Sequence, residues 1–422
     1  MTHLAAAIDA LKTYARQQVL PTPETTTLFR RLLPDALEQA TRKQADGSYF
    51  VATGDLPAMW LRDATFQILP YVTLIPEIPA LYPIVSGVLK RELRYITIDP
   101  YANAFNETAS GAHWAEDQSD VAISPWVWER KFEVDSLLAP LLLAEKLYEV
   151  TGDERHFDDE FWTVYERILA VLKTEQHHET SPYIFHREDC APNDTLPNQG
   201  RGELVGDTGL VWSGFRPSDN TCVLGYHIPD NYLAADLLMK MSKHLPIEHA
   251  TLRRQNEQLL SDIRRGIEQY ATVVDDGEKR LAYEVDGLGR YLLMDDANVP
   301  SLLALPFLTD LETIDPIYLA TRAFILSMKN PYYYAEKVLQ GIGSEHTPPH
   351  YIWPLSLLME GLTTSDRTMQ LQKLQQVATT HAGTYQCHEG IDGNDVTHYT
   401  REWFSWANMT YCQLALAVLM SE

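Results

Sequence analysis

Apolar residues recur at helical spacing along most of this chain. Ile8, Leu11, Tyr14, Ala15 and Val19 share one face of an amphipathic N-terminal segment. Thr27–Arg42 carries Leu28, Leu32, Leu33, Leu37 and Ala40 at the same period, and His156–Lys173 carries Phe161, Val164, Tyr165, Ile168, Leu169 and Leu172. Further helices are predicted over Glu133–Val150, Asn231–Met241, Ile247–Val274, Ile314–Leu326, Tyr351–Leu362 and Asp366–Ala382. A last one is predicted from about Thr400 to Leu419, with Ala407, Tyr411, Leu414, Ala415 and Val418 as its stripe. Strand-like alternation is short and scarce, best at Tyr183–Phe185 and Arg290–Leu293. There is no βαβ alternation, no Gly-rich phosphate loop and no clean repeat. About a dozen helices in antiparallel pairs predict an all-α fold, an (α/α)6 barrel or toroid, with long loops forming a pocket at one end. The whole chain, residues 1–422, reads as one domain of this kind.

Composition narrows the partners. An apolar share of 45% and a charged share of 22% suit a globular protein. The formal net charge of −24 argues against nucleic acid, whose binding rests on Lys and Arg neutralising phosphates, and against anionic membranes. No apolar run spans a bilayer: Leu137–Ala144 is short and contains Pro140. Met1-Thr2-His3-Leu4 lacks a basic n-region, and Cys190, Cys222, Cys387 and Cys412 form no C-x-x-C pair. These features predict a cytoplasmic protein without a structural zinc site.

Eight of the nine tryptophans, Trp60, Trp114, Trp126, Trp128, Trp212, Trp353, Trp403 and Trp406, fall in or beside loops. Tryptophans at helix ends either wall a cleft or staple the helices together, and roughly half are expected to do the latter. The segment Thr400-Arg401-Glu402-Trp403-Phe404-Ser405-Trp406 adds a carboxylate next to an arginine and among aromatic rings. Such a glutamate is either a satisfied structural residue or one held for chemistry.

Five more motifs accompany it in order: Gly54-Asp55-Leu56-Pro57-Ala58-Met59-Trp60-Leu61-Arg62-Asp63; Trp212-Ser213-Gly214-Phe215-Arg216-Pro217-Ser218-Asp219; Asp295-Asp296-Ala297-Asn298-Val299-Pro300-Ser301; His346-Thr347 with Tyr351-Ile352-Trp353-Pro354; and His388-Glu389. Together these resemble glycoside hydrolase family 125, the exo-α-1,6-mannosidases, from about Gly54 to the C-terminus. The resemblance implies an (α/α)6 barrel, release of terminal α-1,6-linked mannose from mannosides or N-glycan fragments, inversion at the anomeric carbon, and no catalytic metal or cofactor. It assigns the general acid to an aspartate of the R-P-S-D-D segment and the base to the glutamate of R-E-W-F, here Asp219 and Glu402. The chain departs from the family in having Asn220 where a second aspartate usually follows. If the acid is the first aspartate, Asp219 supplies the proton; if the second, Asn220 cannot. Cys387-His388-Glu389-Gly390 departs more mildly, with glycine where a serine is expected.

Glycoside cleavage by inversion needs one protonated and one ionised carboxyl, about 6.5–9.5 Å apart, with the attacking water between base and sugar. Arg216 lies close to Asp219 in sequence and would lower its pKa unless it points elsewhere. Arg401 beside Glu402 suits a base that remains ionised. Recognition of sugar hydroxyls needs paired donors and acceptors. Arg62 and Asp63, following Trp60, are candidates to grip the terminal mannose, against a structural ion pair at a helix start. Arg216, Asp296, Asn298, His346, Trp353 and Glu389 complete the expected substrate-binding set.

His177-His178 near Glu175 and Glu179 lacks metal-site spacing and reads as a solvated helix end. Asp158-Asp159-Glu160 reads as a helix start and Asp275-Asp276-Gly277-Glu278 as a turn. Two readings compete with the mannosidase. One is an (α/α)6 glycosidase of another sugar or linkage; the other is a carbohydrate-binding homologue with impaired catalysis, on account of Asn220. The predicted partner is a mannose-containing oligosaccharide. The sequence does not speak to oligomeric state.

Overall fold

The computed structural model describes residues 3–420. Its contacts divide the chain into two compact units. The first comprises Met1–Glu92, Lys146–Glu154 and Tyr332–Glu422; the second comprises Leu93–Glu145 and Arg155–Pro331.

In the first unit, helix Ser405–Met420 packs on Leu61–Thr73, Pro354–Leu362, Arg367–Ala378 and Pro23–Leu32. Helices Leu61–Thr73 and Pro354–Leu362 are buried on every side, losing only their last residues to partial exposure. By contrast His3–Gln17 buries only Ala7, Leu11 and Ala15. A helix apolar all round belongs inside its unit, and one with a single stripe belongs outside. The second unit repeats this contrast. Ile228–His244 is buried through most of its length, and it packs on Ala250–Gly266, which buries Leu252, Asn256, Leu259, Ile263 and Gly266. Asp159–Glu175 packs on that same outer helix, where Tyr165 donates to Asn256 Oδ1 at 2.6 Å.

Strands are short and lead into the inner helices. Met59–Trp60 runs into Leu61–Thr73, Tyr226–His227 into Ile228–His244, and Tyr351–Ile352 into Pro354–Leu362. Glu284–Val285 pairs antiparallel with both Tyr226–His227 and Tyr291–Leu292, which sets Glu284 opposite His227. Asp117–Ser119 pairs with Phe185–Arg187. Three inner helices carry an aspartate in the first turn: Asp63, Asp135 and Asp230. A negative charge there is favoured by the helix dipole.

Several expected boundaries shift for identifiable reasons. The helix expected over Thr27–Arg42 is Pro23–Leu32, interrupted at Pro34, which has no N–H to continue it, and followed by a wide helical turn at Ala36–Ala40. Ile247–Val274 is Ala250–Gly266, followed by a wide turn at Ile267–Ala271 and the hairpin Thr272–Asp275/Glu278–Leu281. The last helix begins at Ser405, not Thr400, so Glu402 sits on a loop. Leu61–Thr73 and Tyr82–Ile98 escaped the pattern reading. The first has no polar stripe and contains Pro70. Asp158 does start a helix, accepting from Phe161 N at 2.9 Å. His178 is not solvated: it is buried, its Nδ1 pairs with Glu175 Oε2 at 2.6 Å, and its ring stacks on Trp212 at 3.4 Å between centroids. No described helix is long and apolar enough to cross a membrane.

Gly54 fixes where two motifs of the first unit meet. Its φ is +57°, and a Cβ there would lie 2.5 Å from the Trp403 carbonyl oxygen. Only glycine tolerates both the angle and the approach. Gly54→Ala is therefore expected to destabilise the protein by about 1–3 kcal/mol through strain and overpacking, read as a lower denaturant midpoint. An unchanged midpoint would show that the loops have room to move apart.

Candidate active site

The first unit gathers one set of motif residues around Arg401. Its guanidinium donates to Asp55 Oδ1 from Nε at 2.9 Å and Nη2 at 2.5 Å, and to the Thr53 carbonyl at 3.0 Å. Glu389 Oε1 lies 3.6 Å from Nη1. Burial alone would lower the Arg401 pKa, but the carboxylates of Glu389, Asp55 and Asp63 outweigh it and raise it. The expected pairing of Arg401 with Glu402 is thus replaced by pairing across to the Gly54–Asp63 loop. Glu402 itself is exposed, so aromatic rings do not enclose it. Trp403 turns away, its Nε1 donating to Asp35 Oδ2 at 2.8 Å, and burial raises the pKa of Asp35.

Beneath this lies an aromatic floor. Arg401 sits 4.8 Å from the Phe404 ring, Arg62 5.5 Å from Trp406, and Phe404 meets Trp353 edge-on at 5.8 Å. His346 approaches Trp353 at 6.4 Å, and Trp353 Nε1 donates to Thr347 at 2.9 Å. Arg62 Nε stands 3.6 Å from Asp63 Oδ2, both buried at the start of Leu61–Thr73. Trp60, Arg62, Asp63, His346, Trp353 and Glu389 therefore all belong to this unit with Glu402.

The second unit holds Asp219, on a tight turn in which Asp219 N bonds the Arg216 carbonyl at 2.9 Å and Arg216 N the Asn220 carbonyl at 2.7 Å. Asp219 has φ +64°, an uncommon angle for a residue with a side chain. Lys131 Nζ donates to its carbonyl at 2.8 Å, and to Asp194 Oδ1 at 2.5 Å. Asn103 Nδ2 stands 3.5 Å from Asp219 Oδ1 while reaching Glu129 at 3.1 Å and Glu133 at 3.2 Å. Asp219 is partly exposed; Asn220 is buried, and its Oδ1 has no partner.

Arg216 does point away from Asp219, but into the protein rather than towards a ligand. It is 1% exposed, with Nε 2.5 Å from Glu284 Oε1. Glu284 also accepts from Leu224 N at 2.8 Å. Asp296 accepts from Asn298 N and Nδ2 at 3.0 and 2.8 Å, and both residues are buried. Asp295, next to it, accepts from Leu302 and Leu303, and burial pushes its pKa up to about 8. Sequence reading missed Asn103, Lys131, Glu129 and Glu133. The charged run Glu129-Arg130-Lys131-Phe132-Glu133 was the available signal. Among the described residues, no group of three or more His, Cys, Asp or Glu side chains is arranged to hold a metal ion.

A helical fold with carboxylates, arginines and tryptophans at the starts of its inner helices is the architecture of (α/α)6 glycosidases. Comparison with known proteins supports this. A glycosidase 13% identical to this chain, matching 94% of it and 97% of its own length, superposes with a TM-score of 0.57. The family model for metal-independent α-mannosidase (GH125) matches residues 22–416. A Streptococcus pneumoniae protein of the metal-independent α-mannosidases, solved in a non-productive complex with α-1,6-mannobiose, is 40% identical over 99% of this chain and 97% of its own, with a TM-score of 0.92. The meiotically up-regulated gene 157 protein of Schizosaccharomyces pombe is 36% identical over 93% of this chain and 82% of its own. The chain belongs to the GH125 family of metal-independent α-mannosidases.

Deep in the second unit, His227 Nδ1 lies 2.9 Å from Asp230 Oδ2, with both residues fully buried. Burial pushes the His227 pKa down to about 4, against the opposing pull of Glu284, Asp135 and Asp296. An imidazole in the unfolded chain titrates near ~6.5. Between those values the unfolded chain binds a proton that the folded protein refuses, so stability is lost as pH falls through that window. His227→Gln should flatten the fall of the denaturant midpoint from about pH 6.5 to 4. Parallel curves for variant and wild type would reject this account.

Proposed function

We propose that this protein is an inverting exo-α-1,6-mannosidase that releases terminal mannose from mannosides or N-glycan fragments. The observation that carries the reading is the seat of Asp219. It is the partly exposed carboxyl of its turn, oriented by Asn103 and anchored through its own carbonyl by Lys131. Asn220 is buried beside it, which favours the first position of the pair as the one that meets a substrate. The bound α-1,6-mannobiose of the Streptococcus pneumoniae relative supports the linkage. The extent of the family match supports treating the chain as one catalytic domain.

In this mechanism Asp219 gives its proton to the glycosidic oxygen, so the leaving sugar departs as an alcohol. Glu402, exposed and therefore in contact with water, takes a proton from the water that attacks the anomeric carbon on the opposite face. Arg62, Asp63, Glu389 and His346, with Trp60 and Trp353, bind the terminal mannose. Asp296 and Asn298, which hydrogen-bond each other in the unit that carries Asp219, are further candidates for sugar hydroxyls, and Arg216 is held by Glu284.

Asp219→Asn and Glu402→Gln should each lower the turnover of α-1,6-mannobiose by about 10²–10⁴-fold. Proton NMR of wild-type turnover should show β-mannose first. α-Mannose first would refute inversion, and binding without turnover would favour a carbohydrate-binding role.

Asn103→Ala provides a separate check on the acid. Its loss should slow mannobiose cleavage by about tenfold or more, and cleavage of a dinitrophenyl α-mannoside far less, since that leaving group needs little protonation. Equal losses on both substrates would assign Asn103 to folding alone.

A further inference from the structure

A general base must be held at one place, yet Glu402 is an exposed residue on a loop without regular structure. Arg401 ties one side of that loop to Thr53 and Asp55. On the other side stands Trp403, whose carbonyl oxygen lies against Gly54 and whose indole reaches into the protein.

Asp35 receives that indole. It is a buried residue 368 positions from Trp403 in sequence, and its Oδ2 accepts from Trp403 Nε1 at 2.8 Å and from Asn408 Nδ2 at 3.4 Å. A carboxylate accepts and does not donate, so both partners turn an N–H towards it. This fixes which way the Asn408 amide faces. Its Oδ1 is left to accept from Cys387 N at 2.7 Å, and its Nδ2 also donates to Gln386.

Cys387 opens the segment that bears Glu389, and that segment is tied back to the base's loop. Glu389 N bonds the Thr400 carbonyl at 3.3 Å, and Thr400 N bonds the Gly390 carbonyl at 2.8 Å. The chain before Glu402 therefore hangs on the segment that Asn408 holds. The chain after it hangs on Asp35 through the Trp403 indole. Glu402 lies between two attachments that lead to one carboxylate, and all these residues belong to the first unit. Burial raises the pKa of Asp35, while the bonds from Trp403 and Asn408 and the charge of Arg31 oppose it. A hydrogen bond to an ionised acceptor is about twice as strong as one to a neutral acceptor, which suits a strut.

We propose that Asp35 is a positioning residue for the candidate base: through Trp403 on one side and Asn408 on the other, it holds the loop that aims Glu402. The inference rests on the reading of Glu402 as the base of an inverting mannosidase. A displacement of about 1 Å at a reacting group costs on the order of 10²-fold in rate, so a buried carboxylate acting through its neighbours sets kcat.

The test uses Asp35→Ala, Asp35→Asn and Trp403→Phe in the full-length protein, each with Glu402 and with Glu402→Gln. Turnover is measured on α-1,6-mannobiose and on a dinitrophenyl α-mannoside, and amide hydrogen exchange is followed over residues 400–404. Asp35→Ala and Trp403→Phe should lower kcat by about ten- to hundredfold. They should also quicken exchange over 400–404 but not over the Leu61–Thr73 helix. Asp35→Asn keeps an acceptor for the indole and should lose less. In the Glu402→Gln background the same changes should cost less than about twofold, because no base is left to aim. Equal losses in both backgrounds, or exchange that quickens throughout the unit, would assign Asp35 to folding alone and overturn the proposal. Turnover and loop exchange left unaltered by Trp403→Phe would overturn it too, and that variant decides if Asp35→Ala does not fold. A wild type that leaves mannobiose uncleaved would reject the mannosidase reading instead, and loop exchange would still decide whether Asp35 holds the loop.

Discussion

A charge taken out of water must be paired, and this protein carries many charges at the buried starts of its inner helices. Each unit answers with its own cation. In the first, Arg401 binds Asp55 and faces Glu389, while Arg62 stands beside Asp63. In the second, Arg216 binds Glu284, and Arg187 and Lys131 join Asp117, Glu129 and Asp194. Removing one member of a buried pair such as Arg216–Glu284 costs about 3–5 kcal/mol, because the survivor is left unpaired. The arrangement holds loops that have almost no regular structure of their own. Arg401 joins its loop to Thr53 and Asp55 across most of the chain's length, and Lys131 joins the strand before its helix to the turn at Asp219.

What could be read from the sequence follows from where water lies. The outer helices were legible because one side is wet, as in Ala250–Gly266, whose buried residues recur every three or four positions. Leu61–Thr73 was not, since a helix buried all round has no polar side to set its period. The candidate site divided in the same way. Glu402 and Asp219 stood out as motif residues, and so did Arg62–Asp63. Their partners did not, because Asn103 lies 116 residues from Asp219 and Asp55 lies 346 from Arg401. Arg216 was expected at a substrate hydroxyl for its neighbourhood in sequence, yet Glu284, 68 residues on, accounts for it. The tryptophans show the same limit: Trp212 and Trp406 are 1% exposed and serve as staples, and only burial separates them from Trp114.

The two carboxylates assigned to acid and base sit in unlike surroundings, as a division of labour requires. Asp219 has a neutral amide at its side chain and a cation on its backbone. Glu402 has its adjacent arginine directed to other carboxylates, and it meets solvent. A proton donor must aim at one oxygen, so restricting its rotation helps; a base that activates water must first have water to bind.

Backbone strain marks both places. Asp219 at φ +64° and Arg401 at φ +43° are non-glycine residues in the left-handed region, one being the candidate acid and the other the neighbour of the candidate base. Each such residue costs about 1–3 kcal/mol and persists only where its surroundings over-determine it. For Asp219 the turn's own hydrogen bonds and Lys131 do so; for Arg401 the bonds to Thr53 and Asp55 do. Cations that pair with carboxylates, Lys131 with Asp194 and Arg401 with Asp55, thus also hold the strained backbone, each through a backbone carbonyl. Charge pairing and the placing of the candidate acid and of the candidate base's neighbour therefore share the same two cations.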